Sequence, residues 1–295
     1  MHDDEWGREA GLGAPFQVLE PAELLTPIVF DSPHSGSLYP RRFLEASRLD
    51  ARTLRRSEDA FVDELVAPCV GIGAPLLKAC FPRAYLDVNR EPFELDPQMF
   101  EGRLPDFANT RSLRVAAGLG AIPRVVGDAQ PIYRGPIPVA AALARIAALH
   151  RPYHECLTGL LERARARFGL AILIDCHSMP SASTDVAGCD IVLGDRFGSS
   201  AAAWIVDRLE QSLRGRGLIV RRNKPYAGGY IAEHYGAPQQ GRHAVQIEIN
   251  RALYMDEKEI RKLAKADLLA ESLLHMARAL TAHVQGLSGV RLAAE

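Results

Sequence analysis

No stretch of this 295-residue chain approaches the roughly 20 consecutive apolar residues a membrane-spanning helix needs. The first ten residues, MHDDEWGREA, are acidic and lack the apolar centre of a secretory leader. Charge of one sign is also missing. A net charge of −1 gives no sign of nucleic acid or an anionic membrane as the main partner. Cysteine is sparse. Cys69, Cys80, Cys156, Cys176 and Cys189 are odd in number, and no two stand at Cys-x-x-Cys spacing. Most lie in apolar stretches, so they are expected as buried thiols in a reducing compartment. There is no internal repeat and no strong linker. These absences leave a soluble, cytoplasmic protein as the expectation, with one domain over residues 1–295.

What is present is an ordinary globular composition, 47% hydrophobic and 24% charged, enough for a sizeable core. After a loose arm over residues 1–14, TPIVFDSPHSG reads as a buried strand running into a turn. A helix is expected from near Ser57, then strands at PLLKAC and RAYLDVNR. Residues 91–136 are rich in Pro, Gly and Arg with little periodicity, as in a functional loop. Pro136 opens a long Ala- and Leu-rich helical region that Pro152 should kink or divide. LAILIDC and CDIVLGD read as strands, Ala201 to Leu213 as a helix, LIVRR as a strand and 223–243 as a Gly-rich loop. In AVQIEIN, Val245, Ile247 and Ile249 face one way, and Gln246, Glu248 and Asn250 the other. A last helix is expected from Asp256, where Glu259 completes a capping-box pattern, to about Gln285. Strands alternating with helices predict a three-layer α/β/α fold around a mixed, mostly parallel sheet.

Two histidines share one setting. His34 and His177 each follow an aliphatic run and then an Asp, in VFDSPHSG and LIDCHSMP. Functional groups of parallel sheets gather at carboxyl strand ends. Two neutral imidazoles there suit a shared metal, with Asp31 and Asp175 as acceptors that orient the rings. Two unrelated loop histidines would give the same pattern. A third ligand is expected to be a carboxylate or another His, and Ser57-Glu58-Asp59 offers two acids at the expected helix start. An acid at that position serves equally well as an N-cap. Glu248, polar on an otherwise apolar strand, fits a general base or an exposed sheet face. Asn89-Arg90 and Asn250-Arg251 each place an arginine, suited to bidentate carboxylate binding, near a strand end. Tyr133 and Arg134 are further candidates. His150 and His154, four residues apart around Pro152, read as solvated helix positions.

The ordered set PHSG (33–36), SEDAFVDEL (57–65), DVNR (87–90), IDCHSMP (174–180), DIVLGD (190–195), NKPYAGGYI (223–231) and QIEINRALYMDE (246–257) resembles the N-formylglutamate amidohydrolase family over most of the chain. That resemblance implies a zinc-carboxypeptidase-like fold. It also implies hydrolysis of N-formyl-L-glutamate to formate and glutamate in histidine degradation, with one Zn2+ per chain. It makes His34 and His177 metal ligands and Glu248 the catalytic glutamate. Asn89 and Arg90 become binders of a substrate carboxylate, with Arg90 also serving catalysis and Tyr133, Arg134 and Arg251 alongside. Zinc carboxypeptidases carry a Glu three residues after the first His, where this chain has Ser37. The resemblance points instead to the SED segment, Asp59 before Glu58. A deacylase of another N-acyl amino acid, a carboxypeptidase-like hydrolase, or a non-catalytic binding protein on the same scaffold are the competing readings.

Overall fold

The computed structural model describes residues 13–127, 129–182, 185 and 187–292. The expected N-terminal arm therefore lies, except for residues 13 and 14, outside the described residues. The chain divides into two compact units. Among the described residues, one takes in those up to Gln17 with Pro33–Ala60 and Lys78–Thr158; the other takes in Val18–Ser32, Phe61–Leu77 and those from Gly159 on.

A seven-stranded sheet is built from β1 (Phe16–Leu19), β2 (Ile28–Ser32), β3 (Leu76–Ala79), β4 (Ala171–Met179), β5 (Ile191–Gly194), β6 (Val220–Arg222) and β7 (Arg242–Asn250). Their order across the sheet is β1-β3-β2-β4-β7-β5-β6. β2–β4, β4–β7 and β5–β6 pair parallel, while β7–β5 is antiparallel, giving the expected mixed α/β sheet. Every residue of β2 and β4 is buried. Strands covered on both faces read as continuous apolar runs, as Ile28-Val29-Phe30 and Ala171 to Ile174 do. The polar exceptions fall at the carboxyl ends: Asp31 and Ser32, then Asp175, His177 and Ser178. Register aligns Asp31 with Asp175, Asp175 with Gln246, and His177 with Glu248. Cross-strand partners share a face, so these side chains converge at one edge of one face.

Several elements differ from the sequence expectation. The helix expected from Ser57 starts only at Val62, because Phe61 takes a left-handed conformation with φ 68°. RAYLDVNR forms no strand. Its amides go to turns, Tyr85 N and Leu86 N to Pro82 O, and Asp87 N to Ala121 O. The helical region before Pro152 runs over Val139–Arg145, widens into a π-turn over Ile146–His150, and resumes over Arg151–Phe168. Proline has no N–H for Ala148 O, and the turn widens so that Arg151 N bonds Ile146 O. The last helix begins at Ala266, not Asp256. Asp256 Oδ1 does accept from Lys258 N and Glu259 N, at 3.0 and 3.1 Å. The chain then folds back as a short hairpin, Met255–Asp256 against Arg261–Lys262, so the capping bonds close a turn. Among the described residues no helix is long and apolar enough to cross a membrane.

Candidate metal centre

His34 follows the end of β2 in a turn that depends on Gly36. A Cβ there would meet Phe81 O at 2.1 Å, so only glycine lets the backbones approach this closely. His34 is 1% exposed. Its Nε2 lies 2.7 Å from Asp87 Oδ1, which also accepts from Asn89 N at 2.9 Å. Asp87 Oδ2 accepts from Arg83 Nη2 at 2.8 Å. Burial alone pushes the Asp87 carboxyl up, but neighbouring His34, Arg83 and Arg90 outweigh it and hold it well below the usual carboxylate range. An ionised Asp87 makes His34 Nε2 the protonated nitrogen. That leaves Nδ1, 3.4 Å from Asp59 Oδ2, as the nitrogen with a lone pair to give. Asp31 does not orient His34 as the sequence suggested. It is held in β2 opposite Asp175, and the acceptor arrives from the turn at 87.

The two adjacent acids, Glu58 and Asp59, have different surroundings. Glu58 Oε1 accepts from Tyr39 Oη at 2.8 Å, and both its oxygens accept from Arg55 Nε at 3.2 Å. Burial, then the adjacent Glu58 charge, pushes the Tyr39 phenol far up, so Tyr39 stays a donor. Asp59 instead lies against His34, with its N–H donating to His34 O at 2.9 Å. The N-cap of the following helix is Phe61, which has no side-chain cap bond.

On β4, His177 Nε2 is 2.7 Å from Asp175 Oδ1, the acceptor that the sequence pattern anticipated. The bond leaves Nδ1 as the nitrogen of this ring with a lone pair to give, as in His34. Among the described residues, His34, Asp59 and His177 form a cluster in which one ligand atom of each lies within 4.8 Å of the others. All three are at most 3% exposed. Two imidazoles, each held by an acid through its other nitrogen, and one carboxylate are the donor set of a catalytic divalent-metal site with room for water or substrate. The residues present therefore fit a metal. Glu248, 8% exposed, is the register partner of His177 on β7.

The sequence model of the N-formylglutamate amidohydrolases matches residues 26–255. The chain belongs to this family. An N-formylglutamate deformylase of Pseudomonas aeruginosa is 30% identical over 239 residues, 79% of this chain and 83% of that protein. The crystal structure of an N-formylglutamate amidohydrolase from Ralstonia eutropha superposes with TM-score 0.87 at 35% identity, covering 92% of this chain and 99% of that one. A gene product from Agrobacterium tumefaciens, 20% identical over 92% of this chain and 95% of its own, shares the fold at TM-score 0.63.

This member of the family holds its other candidate residues as follows. Asn89 is 3% exposed beside Asp87. Arg90 donates from Nε to Leu119 O at 2.9 Å and from Nη1 to Asn89 O at 2.8 Å. Tyr133 Oη accepts from buried Arg145 Nη1 at 2.9 Å, and the Arg145 guanidinium lies 4.0 Å from the centre of the Tyr85 ring. Arg134 is exposed, its N–H donating to Ala46 O. Arg251 begins a 3-10 turn just past β7, and its Nε donates to Ser178 Oγ at 3.0 Å. Ser178 follows His177 in β4, so its side chain leaves the strand on the opposite face. His150 is buried and His154 half-buried, and both are bonded to backbone. His150 Nε2 bonds Arg90 O at 2.9 Å and His154 Nε2 bonds Val88 O at 2.8 Å, bracing the turn that carries Asp87 to Arg90.

Proposed function

We propose that this chain hydrolyses the formyl amide of N-formyl-L-glutamate to formate and L-glutamate, using one zinc ion held by His34, Asp59 and His177. The observation that carries the reading is the buried His-Asp-His cluster with Glu248 paired across the sheet to His177. When bound, a divalent metal supplies Lewis acidity at the scissile carbonyl and at the attacking water. Glu248 takes the proton that water gives up as its oxygen adds to the formyl carbon. It returns that proton to the departing nitrogen as the C–N bond breaks; the remaining proton of the formic acid passes to the amine as well, so water and amide become formate and the ammonium form of glutamate with no net proton change. Asp87 and Asp175 accept from Nε2 of the two imidazoles and fix their orientation, leaving Nδ1 of each for the metal.

The substrate carries two carboxylates, and burying one uncompensated would cost on the order of several kcal/mol. Asn89 and Arg90 are assigned to one of them. The turn they occupy is fixed by Asp87, His150 and His154, so its position is set before substrate arrives. Arg134 and Tyr133 are the candidates for the second. We assign the reaction to histidine degradation, the role that the family resemblance implies.

The test is a panel of N-formyl, N-acetyl and N-succinyl derivatives of L-glutamate and of neutral amino acids. N-formyl-L-glutamate is expected to lead in kcat/KM by about tenfold or more over the N-acetyl compound, since one methyl in a fitted pocket is worth roughly 1–3 kcal/mol. A higher kcat/KM for the acetyl or succinyl compound would make the chain a deacylase of a different N-acyl amino acid.

A further inference from the structure

Gln246 precedes Glu248 by two residues on β7, so both side chains leave the strand on one face. Its carboxamide is engaged at both ends. Oε1 accepts from Gly229 N at 2.7 Å, and Nε2 donates to Glu248 Oε1 at 2.8 Å. A backbone N–H can only donate and an ionised carboxylate can only accept, so these two partners allow a single orientation of the amide.

The loop reaches Gln246 because of its neighbour across the sheet. The antiparallel partner of Gln246 on β5 is Gly194. A Cβ on Gly194 would stand 2.7 Å from Ala227 C and 2.8 Å from Gly228 N. The missing side chain thus leaves a seat for the backbone of the Gly-rich loop. Gly228, at φ 123°, turns the chain there, and Gly229 presents its N–H to Gln246 at the start of the Tyr230–Tyr235 helix.

We propose that Gln246 is a positioning residue for the reaction: it ties the Glu248 carboxylate to the backbone of the Gly-rich loop and holds it in line with the attacking water. The proposal rests on Glu248 being the general base. Supporting the loop needs only Oε1, whereas positioning Glu248 needs Nε2, so the two roles separate by mutation. Gln246→Glu keeps an acceptor for Gly229 and, with both carboxyls ionised, has no donor for Glu248. Gln246→Met, close in volume, loses both.

Both variants are expected to lose about 10- to 100-fold in kcat, the range for a hydrogen bond to a charged group. KM and metal content should stay at the wild-type values. Hydrogen exchange at the Gly229 amide should quicken in Gln246→Met and not in Gln246→Glu. A Gln246→Glu variant with wild-type kcat would overturn the proposal and leave Gln246 as loop support. If the added charge prevents that variant from folding, Gln246→Met decides: wild-type kcat in it overturns the proposal as well. Glu248→Gln is run alongside. Turnover retained there would remove the general-base reading itself, while an inert Glu248→Gln beside a fully active Gln246→Glu would remove only the positioning role.

Discussion

Glu248→Gln is expected to keep its metal and lose about 10²- to 10⁴-fold in kcat, the usual contribution of a positioned general base. The substitution conserves volume at a site that is only 8% exposed, so packing on β7 is preserved. Gln246 Nε2 still meets an amide oxygen in place of the carboxylate oxygen it now bonds. What is lost is the ability to take a proton from water and return it to the leaving nitrogen. Because Glu248 is not among the clustered ligand residues, elemental analysis should give the wild-type metal content. A variant with kcat within about tenfold of wild type would show that another group handles the proton, since that loss lies below the general-base range.

The second large effect is on the metal itself. His177→Ala should abolish both metal retention and turnover, because it removes one ligand of three and leaves Asp175, fully buried, without the imidazole it now binds. Asp59→Asn should behave similarly. Glu58→Gln should not, although it is the adjacent acid. Its carboxylate is taken up by Tyr39 and Arg55, so the expected cost falls on local stability, about 1–3 kcal/mol for a weakened buried network. Titrating zinc into metal-free protein separates these cases. A stoichiometric, tight metal in His177→Ala, or its loss in Glu58→Gln with retention in Asp59→Asn, would reverse the ligand assignment.

The parts of this site that sequence disclosed are those written into one strand and its end. His34 and His177 stand out because each interrupts an apolar run where a parallel strand finishes. Glu248 stands out because period-two alternation puts it on the polar side of β7. Asp175 is two residues from the ring it holds, so local spacing finds it. The acceptor for His34 is not local. Asp87 arrives from a turn 53 residues further on, while the nearer Asp31 is committed to the strand. Glu58 and Asp59 are one residue apart, and only Tyr39 and Arg55 on one side and His34 on the other decide between them.

His150 and His154 show the same limit. Their i, i+4 spacing says they share a helix face, but not that Val88 O and Arg90 O lie against that face. At Asp256 the capping bonds predicted by the Ser/Thr/Asp-x-x-Glu logic form, yet Ile260 at φ 48° turns the chain into a hairpin. Local hydrogen-bond patterns recur in turns and helix starts, and the residues that follow decide which one forms.

The most direct test of the account is metal content measured together with formate release from N-formyl-L-glutamate on the same purified sample. The predicted result is about one divalent metal per chain, as expected of a tight three-ligand site, with formate release that a chelator abolishes and added zinc restores. Full formate release from protein carrying less than about 0.2 metal per chain would contradict it, since a site this buried and complete should retain its ion through gentle purification.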